Sequence, residues 1–188
     1  MSEDQKKWYV FAGAAGLVVL LDQVTKYIIR TSPELHSKVL IEGWLNLFYT
    51  KNPGMAMGIS WAETWVISLV AIAASILIIG YVWKTYKEGN MAYMLLMGLI
   101  IGGALGNISD RIFMARIEGY GGVLDGHVVD FIHFSLTING WQVFPYIFNV
   151  ADMAISVAII TMLIFHKKVL PEDPAPKPDT ENQPGTTD

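Results

Sequence analysis

The sequence predicts an all-α membrane protein with four transmembrane helices and a small β-sheet and loop region on the periplasmic side. Apolar residues make up 53% of the 188 residues, and the mean hydropathy is +0.40. Four apolar runs are long enough to cross a bilayer, and the two long connections between them are rich in aromatic and β-branched residues. This composition is too apolar for an ordinary soluble domain.

The four predicted spans cover about residues 8–29, 65–83, 91–112 and 147–165. As a helix, the first run extends about 33 Å, against a hydrocarbon core of about 30 Å. A secretory signal has a shorter apolar stretch, followed by a small-residue cleavage site. No such site follows this run, so we interpret it as a span that is retained.

Lysines near the span ends predict the orientation. The side that holds both termini and the short second connection carries Lys6, Lys7, Lys84, Lys87, Lys167 and Lys168. The positive-inside rule assigns that side to the cytoplasm. We therefore expect both termini in the cytoplasm, and the long connections 30–64 and 113–146 on the outer side of the membrane.

The long connections contain strand and turn signals. Leu45–Thr50 is strand-like in residue type and is followed by Asn52, Pro53 and Gly54, which break regular structure. In the second connection, Asn139-Gly140 separates two apolar segments and is a strong hairpin signal. These features predict a small sheet beside the bilayer.

The charge distribution separates a tail from the membrane body. The formal net charge is −4, and residues 169–188 alone hold five acids and one lysine, with five prolines. We predict that residues 1–168 form the membrane domain and that residues 169–188 are a disordered cytoplasmic tail. The body is electrically balanced, so it lacks the basic face of a nucleic-acid-binding protein.

The residue types also limit the chemistry. The absence of cysteine excludes disulfides, a thiolate nucleophile and cysteine-ligated metals. His127 and His133 have no third ligand at a metal-like spacing, so we expect neither a metal nor another cofactor.

Two aspartates stand in apolar surroundings close to each other in sequence. Asp152 lies in the fourth run, and Asp130 lies in an apolar stretch just upstream. A carboxylate at membrane depth costs roughly 2.5–3.5 kcal/mol and is rarely kept without a use. A pair that shares one proton can act as acid and base together, which makes these residues a candidate catalytic dyad.

Other polar residues share helix faces near the outer ends of the third and fourth runs. Asn149 lies three positions before Asp152, and Asn107 lies three and four positions before Asp110 and Arg111. The asparagines are candidate functional residues, and they could equally serve as interhelical hydrogen-bonding groups. Asp110 and Arg111 could mark an ordinary span terminus.

The first run carries a charged pair, and the third carries a glycine stripe. Asp22 and Lys26 are related by i,i+4, which is compatible with a helix-end ion pair whose lysine extends outward to the membrane surface. Gly98, Gly102 and Gly106 repeat every four residues, which lets another helix approach closely. We assign the stripe a structural role.

Five motifs occur in a fixed order across the predicted spans. They are Leu-Asp-Gln-Val-Thr-Lys (21–26), Lys-Asn-Pro-Gly-Met-Ala (51–56), Gly-Asn-Ile-Ser-Asp-Arg (106–111), Val-Val-Asp-Phe (128–131) and Phe-Asn-Val-Ala-Asp (148–152). Together they resemble the signature blocks of the lipoprotein signal peptidase family, signal peptidase II. The similarity extends over about residues 8–167.

The resemblance implies an intramembrane aspartic endopeptidase of the bacterial inner membrane. Its substrates would be lipidated prolipoproteins, cut on the N-terminal side of the diacylglyceryl-modified cysteine by Asp130 and Asp152. The matching motifs carry over a set of residues that bind substrate or support the site. These are Asn107, Asp110, Arg111, Asn149, Asn52, Asp22 and Lys26. Within it, Arg111 would meet a substrate carbonyl and be held by Asp110. We expect a monomer in contact with membrane lipid.

The chain departs from the family pattern at two places. The family usually reads Asn-Thr-Gly-Ala-Ala-Phe where this chain has Asn-Pro-Gly-Met-Ala-Met at 52–57, and the segment at Tyr146-Ile147 is one residue longer. Both changes affect the shape of the site more than its chemistry.

A second functional class was weighed against the protease. A small proton-coupled transporter or channel component is also rich in intramembrane acids. Such a protein would place polar residues near the midplane and would usually show internal repeats or broken helices. The sequence has neither feature.

Overall fold

The computed structural model describes residues 1–54 and 62–171 and is mostly helical. The helices are α1 (Glu3–Thr31), α2 (Thr64–Thr85), α3 (Met91–Ile117), α4 (Val150–Ile164) and α5 (His166–Val169), with a 3₁₀ turn at Pro33–Leu35. The strands are β1 (Ser37–Ile41), β2 (Leu45–Asn52), β3 (Val128–Phe134), β4 (Thr137–Ile138), β5 (Trp141–Gln142) and β6 (Ile147–Phe148). The departure from the family pattern at 55–57 lies outside the described residues.

Three helices have the length and apolarity of membrane spans. They are α1, α2 and α3, with 29, 22 and 27 residues. The helix α4 is apolar but has only 15 residues, about 22 Å at 1.5 Å per residue. The predicted start of the fourth span at residue 147 is wrong, because Ile147 and Phe148 form β6 and the Asn149 side chain caps a helix that begins at Val150.

Contacts at one end of the bundle bring the helix termini together. The Lys7 ammonium donates to the backbone oxygens of Tyr86 and Lys87 at 3.2 and 3.0 Å. The Asn90 side chain, which precedes α3, donates to the backbone oxygen of Lys168 at 2.7 Å. The start of α1, the end of α2, the start of α3 and the end of α5 therefore lie at the same end of the protein.

The glycine stripe of α3 brings the helices close to one another. A Cβ atom placed at Gly102 would lie 2.7 Å from the backbone oxygen of Ala15 in α1. On the other side of α3, a Cβ at Gly103 would lie 2.5 Å from the backbone oxygen of Ala151 in α4. Both distances are too short for a side chain, so α3 packs directly on both neighbours, and the predicted structural role of the stripe is confirmed.

A four-stranded antiparallel sheet of order β1-β2-β3-β6 connects the helices at the other end. Thr50 of β2 pairs with Asp130 of β3, and Ile132 of β3 pairs with Phe148 of β6. Since β6 leads directly into α4, the sheet brings Asp130 close to the first turn of α4.

The predicted hairpin is present but short. The strands β4 and β5 pair around Asn139 and Gly140, whose φ angles are +51° and +82°. Two positive φ angles are what a two-residue turn requires when it follows the twist of its strands. The strand predicted at Leu45–Thr50 is confirmed as part of β2.

The body of the protein extends slightly beyond the predicted domain boundary. Val169, placed in the tail by composition, belongs to α5 and is buried in the helical core at 6% exposure. The predicted disorder of the tail concerns residues 172–188, which lie outside the described residues.

Candidate active site

The first turn of α4 fixes the position of Asp152. The Asn149 side chain accepts a hydrogen bond from the backbone N–H of Asp152 at 3.0 Å, and the Asp152 carboxylate accepts one from the backbone N–H of Asn149 at 3.2 Å. This reciprocal capping satisfies two backbone donors that a helix start leaves open. It holds the carboxylate at a helix N-terminus, where the helix dipole favours negative charge.

Asp130 lies in the middle of β3 and is only 2% exposed. Its Oδ1 accepts a hydrogen bond from the Asn149 amide at 2.6 Å, and its Oδ2 accepts one from the Asn52 amide at 2.9 Å. The carboxyl group is therefore held between the neighbouring strand β2 and the residue that caps α4.

Two asparagine side chains join the aspartates. The Asn107 amide donates to Asp152 Oδ1 at 2.8 Å, and its own oxygen accepts from the Asn149 amide at 3.1 Å. Asn149 donates to Asp130 as well. The structure thus connects Asp130 and Asp152, which belong to different elements, through a continuous set of hydrogen bonds.

The pKa of the Asp130 carboxyl is raised from an ordinary value of 3.8 to about 6, and burial is the largest cause. The negative charge of Asp152 contributes to the rise, while hydrogen bonds from Asn52 and Asn149 oppose it. A carboxyl group in these surroundings keeps its proton closer to neutral pH than an exposed aspartate does.

Replacing Asp152 by asparagine is expected to lower the pKa of Asp130, because the neighbouring negative charge is removed. The pKa should remain above 3.8, since burial is the larger cause of the shift. The pKa of Asp130 can be measured by infrared difference titration of ¹³C-aspartate-labelled protein. The carbonyl band of Asp130 is identified as the band that is missing from the spectrum of Asp130→Asn. Asp125→Asn, at an exposed loop position, should leave the titration unchanged, and an unchanged or raised pKa in Asp152→Asn would contradict the coupling.

Lys26 is the centre of a buried ionic cluster. Its ammonium lies 2.8 Å from Asp22 Oδ2 and 2.8 Å from Asp110 Oδ2, and it donates to Asn107 Oδ1 at 3.0 Å. Lys26 is 3% exposed. The interpretation of an outward-extending lysine is therefore wrong. Two buried carboxylates hold the ammonium inside the protein, and removing one partner of such a cluster costs about 3–5 kcal/mol.

The same cluster attaches α1 to α4 and to the active-site sheet. Asp22 Oδ1 accepts a hydrogen bond from the backbone N–H of Ala151 at 3.0 Å, one residue before Asp152. Asp110 Oδ2 accepts one from the backbone N–H of Val129 at 3.1 Å, one residue before Asp130. Each dyad residue is thus adjacent in sequence to a backbone group held by a buried carboxylate.

Gln23 belongs to this cluster, and sequence reasoning missed it. Its amide donates to Asp110 Oδ1 at 2.9 Å and to the backbone oxygen of Gly106 at 3.1 Å. The signal in the sequence was a polar amide within an apolar run, directly after Asp22.

The expected pairing of Asp110 with Arg111 is wrong. Asp110 accepts its hydrogen bonds from Gln23, Lys26 and Val129, because adjacent residues on a helix point in different directions. Arg111 donates to the backbone oxygen of Asn107 at 3.3 Å, and its Nε is buried without a hydrogen-bond partner within the described part of the chain. Its guanidinium makes no ion pair with Asp110 but still interacts electrostatically with that carboxylate, and also with Asp130 and Asp152.

An apolar groove of about 490 Å³ leads to Asp152. One wall is formed by the aromatic rings of Phe134, Phe144 and Phe148, with centroids of Phe134 and Phe148 5.3 Å apart. The other wall is a face of α4 that includes Val157. The carboxylate of Asp152 therefore lies beside an apolar surface.

Among residues 1–54 and 62–171, no group of three histidine, cysteine, aspartate or glutamate side chains could hold a metal ion. The expectation that the enzyme needs no metal or other cofactor stays a prediction.

Comparison with known proteins assigns the chain to a family. The model of the family described as signal peptidase (SPase) II matches residues 14–167. The chain belongs to the signal peptidase II family. It is 35% identical to a lipoprotein signal peptidase of Amoebophilus asiaticus, over 92% of this chain and 83% of that protein. It is 34% identical to one of Chlorobium phaeobacteroides, over 89% and 95% respectively.

Solved structures agree with this assignment. The chain is similar to a bacterial membrane enzyme solved in meso at 2.3 Å resolution, with a TM-score of 0.65 and 31% identity over 82% of this chain and 85% of that one. A second structure of a bacterial membrane enzyme, solved in meso at 1.9 Å, gives a TM-score of 0.61 at 32% identity, covering 82% of this chain and 90% of that one. The protein is therefore a membrane protease of this family.

Proposed function

We propose that Asp130 and Asp152 are the catalytic dyad with which this signal peptidase II removes signal peptides from prolipoproteins. The observation that carries the proposal is the hydrogen-bonded chain from Asp130 through Asn149 and Asn107 to Asp152. It joins a carboxyl from a strand to a carboxyl from a helix, and the second of these, Asp152, lines an apolar groove. A transporter is not supported by the family or by the position of these acids, since Asp130 lies in a strand and Asp152 lies in the first turn of a helix.

The dyad would work as an acid and a base that share one proton. The ionised carboxylate takes a proton from a water molecule, whose oxygen attacks the scissile carbonyl carbon while the neutral carboxyl donates its proton to the carbonyl oxygen. One hydroxyl of the resulting gem-diol gives its proton to the carboxylate that is now ionised, the C–N bond breaks, and the leaving amine takes up the proton held by the other carboxyl. The raised pKa of Asp130 supports Asp130 as the carboxyl that starts protonated.

The remaining site residues would hold this pair and its substrate. Asn52, Asn107 and Asn149 donate to the carboxylates and fix their orientation. The buried Nε of Arg111 supports a contact with a substrate carbonyl. The cluster of Asp22, Lys26 and Asp110 supports the site indirectly, because it holds the backbone next to each dyad residue.

The substrate would be the lipid-modified form, cut on the N-terminal side of its diacylglyceryl cysteine. The groove beside Asp152 supports this, since its aromatic and aliphatic walls suit acyl chains or the apolar part of a signal peptide. Incubating the purified, detergent-solubilised protein with a lipidated prolipoprotein tests the assignment. Mass spectrometry should find a product that begins at the modified cysteine, and cleavage at another bond would contradict the proposed specificity.

The proposed topology has four spans, both termini in the cytoplasm and the active site near the periplasmic face of the inner membrane. Val150 to Val169, which include α4 and α5, comprise 20 residues, enough for about 30 Å of helix. The lysine-rich ends lie together at one end of the bundle, and the dyad lies toward the other, which supports this orientation.

Tags at Ser2 and Asp188 are expected to be accessible only from the cytoplasm, because the lysine bias places both chain ends there. Cysteine introduced at each position, in a chain that has none of its own, can be labelled with a membrane-impermeant maleimide in intact spheroplasts and in lysed ones. Labelling should require lysis. A cysteine in the outer hairpin at Gly140 is the positive control, and labelling of either terminus in intact cells would reverse the topology.

A further inference from the structure

A second cavity, of about 250 Å³, lies between the last turns of α1 and α3. Tyr27 and Arg30 of α1 and Phe113 and Ile117 of α3 are among the residues that line it. It shares no lining residue with the groove beside Asp152. Nothing in the proposed cleavage reaction uses this cavity.

The Arg30 guanidinium has only weak partners. Its Nη1 lies 3.6 Å from the sulfur of Met114, and its central carbon lies 5.9 Å from the ring centroid of Tyr27. Within the described part of the chain, no carboxylate lies within ion-pair distance of it. A thioether is a weak hydrogen-bond acceptor, so the Arg30 guanidinium has N–H groups available for a stronger acceptor.

Arg30 is the cation of the cavity lining that makes no ion pair within the described residues, because Lys26 is paired with two carboxylates. Lys26, Arg30 and Asp110 contribute the charged side chains of its lining. The Asp110 oxygens already accept hydrogen bonds from Gln23, from Lys26 and from the backbone of Val129. This acid is therefore engaged on the protein side, which leaves Arg30 as the cation available to an anionic ligand.

Apolar side chains flank the cation at the level where the helices end. Tyr27, Phe113 and Ile117 are 60%, 55% and 59% exposed. In a membrane protein, such exposed apolar surface faces acyl chains, and arginine and tyrosine near helix ends lie at headgroup depth. Basic pockets between transmembrane helices bind anionic headgroups at the cytoplasmic face of membranes. The same charge-assisted hydrogen bond from arginine to phosphate is available at the opposite face.

We propose that this cavity is a binding site for an anionic phospholipid. Arg30 binds the phosphate, and the acyl chains lie along the exposed apolar side chains of α1 and α3. The charge supplies selectivity for an acidic headgroup, and the apolar rim supplies selectivity for an intact lipid over a soluble phosphate.

Native mass spectrometry of the full-length protein in detergent, titrated with palmitoyl-oleoyl phosphatidylglycerol or the matching phosphatidylcholine, tests this site. We expect the wild-type protein to bind phosphatidylglycerol about tenfold more tightly, as one charge-assisted contact allows. Arg30→Gln should remove that preference. Arg116→Gln is the matched control, since Arg116 lies exposed in the last turn of α3 without lining the cavity.

A second variant keeps the test decisive if Arg30→Gln folds poorly. Ser109→Phe narrows the cavity and leaves Arg30 in place, so it should also abolish the preference. Equal binding of the two lipids, or a preference that survives in either variant, would overturn the site. Competition by glycerol phosphate as strong as by the intact lipid would overturn the lipid assignment. Lipid binding is measured directly and not through cleavage. A negative result would therefore overturn the lipid site without bearing on Asp130 and Asp152.

Discussion

Asp130→Asn and Asp152→Asn are each expected to abolish cleavage of a lipidated prolipoprotein, lowering kcat by about 10³-fold or more. Asparagine is nearly isosteric with aspartate but cannot accept or donate the proton that the reaction moves. The loss of cleavage rate is measured as the residual release of signal peptide by each purified variant under single-turnover conditions. The two losses should not add in the double variant, because the carboxyls act as one unit.

The matched control is Asp125→Asn in the same outer connection. Asp125 is exposed and accepts a hydrogen bond from the backbone N–H of Gly122. This variant should retain full activity, and all variants should reach the membrane in similar amounts. Appreciable turnover by either dyad variant would contradict the assignment of Asp130 and Asp152.

An unlipidated prolipoprotein is expected to be cut more slowly than the diacylglyceryl form, by on the order of 100-fold. The dyad lies at a helix start beside an apolar groove, where a soluble peptide would rarely present its scissile bond. Each buried methylene contributes about 0.8 kcal/mol to anchoring, so two acyl chains hold the substrate at that depth. Part of this binding energy can orient the peptide bond, which predicts a loss in kcat as well as in affinity.

A side-by-side assay in one detergent measures this dependence. Both substrates should have the same sequence and differ only in the modification of the cysteine, with initial rates taken over a range of enzyme concentrations. Equal rates would mean that the lipid is not recognised, and the role of the groove beside Asp152 would then be wrong.

Much of the fold follows from local sequence. The long apolar runs predicted α1, α2 and α3, because backbone groups within a bilayer must be satisfied inside a helix. Asn139-Gly140 predicted its hairpin, because few residues tolerate two successive positive φ angles. The start of α4 was also encoded locally, in the capping pair Asn149 and Asp152, although hydropathy alone placed it too early.

The sequence pointed to most residues of the candidate site but not to the hydrogen bonds and ion pairs that connect them. Apolar surroundings selected Asp130 and Asp152, since a carboxylate in an apolar segment is costly, and the resemblance to the family motifs supplied the supporting polar residues. The sequence alone did not predict that Lys26 points inward, that Asp110 binds Lys26 in preference to Arg111, or that Gln23 belongs to the cluster.

The sequence by itself determined which segments are helical, which carry charge and which residues are unusual in their surroundings. Only the tertiary structure decided how these residues pair, because their contacts join positions far apart in the chain. Asp22 meets the backbone of Ala151, and Lys26 meets Asn107. A buried charge takes the nearest compensating partner in space, and that partner is set by the close packing of α1, α3 and α4 at the glycines.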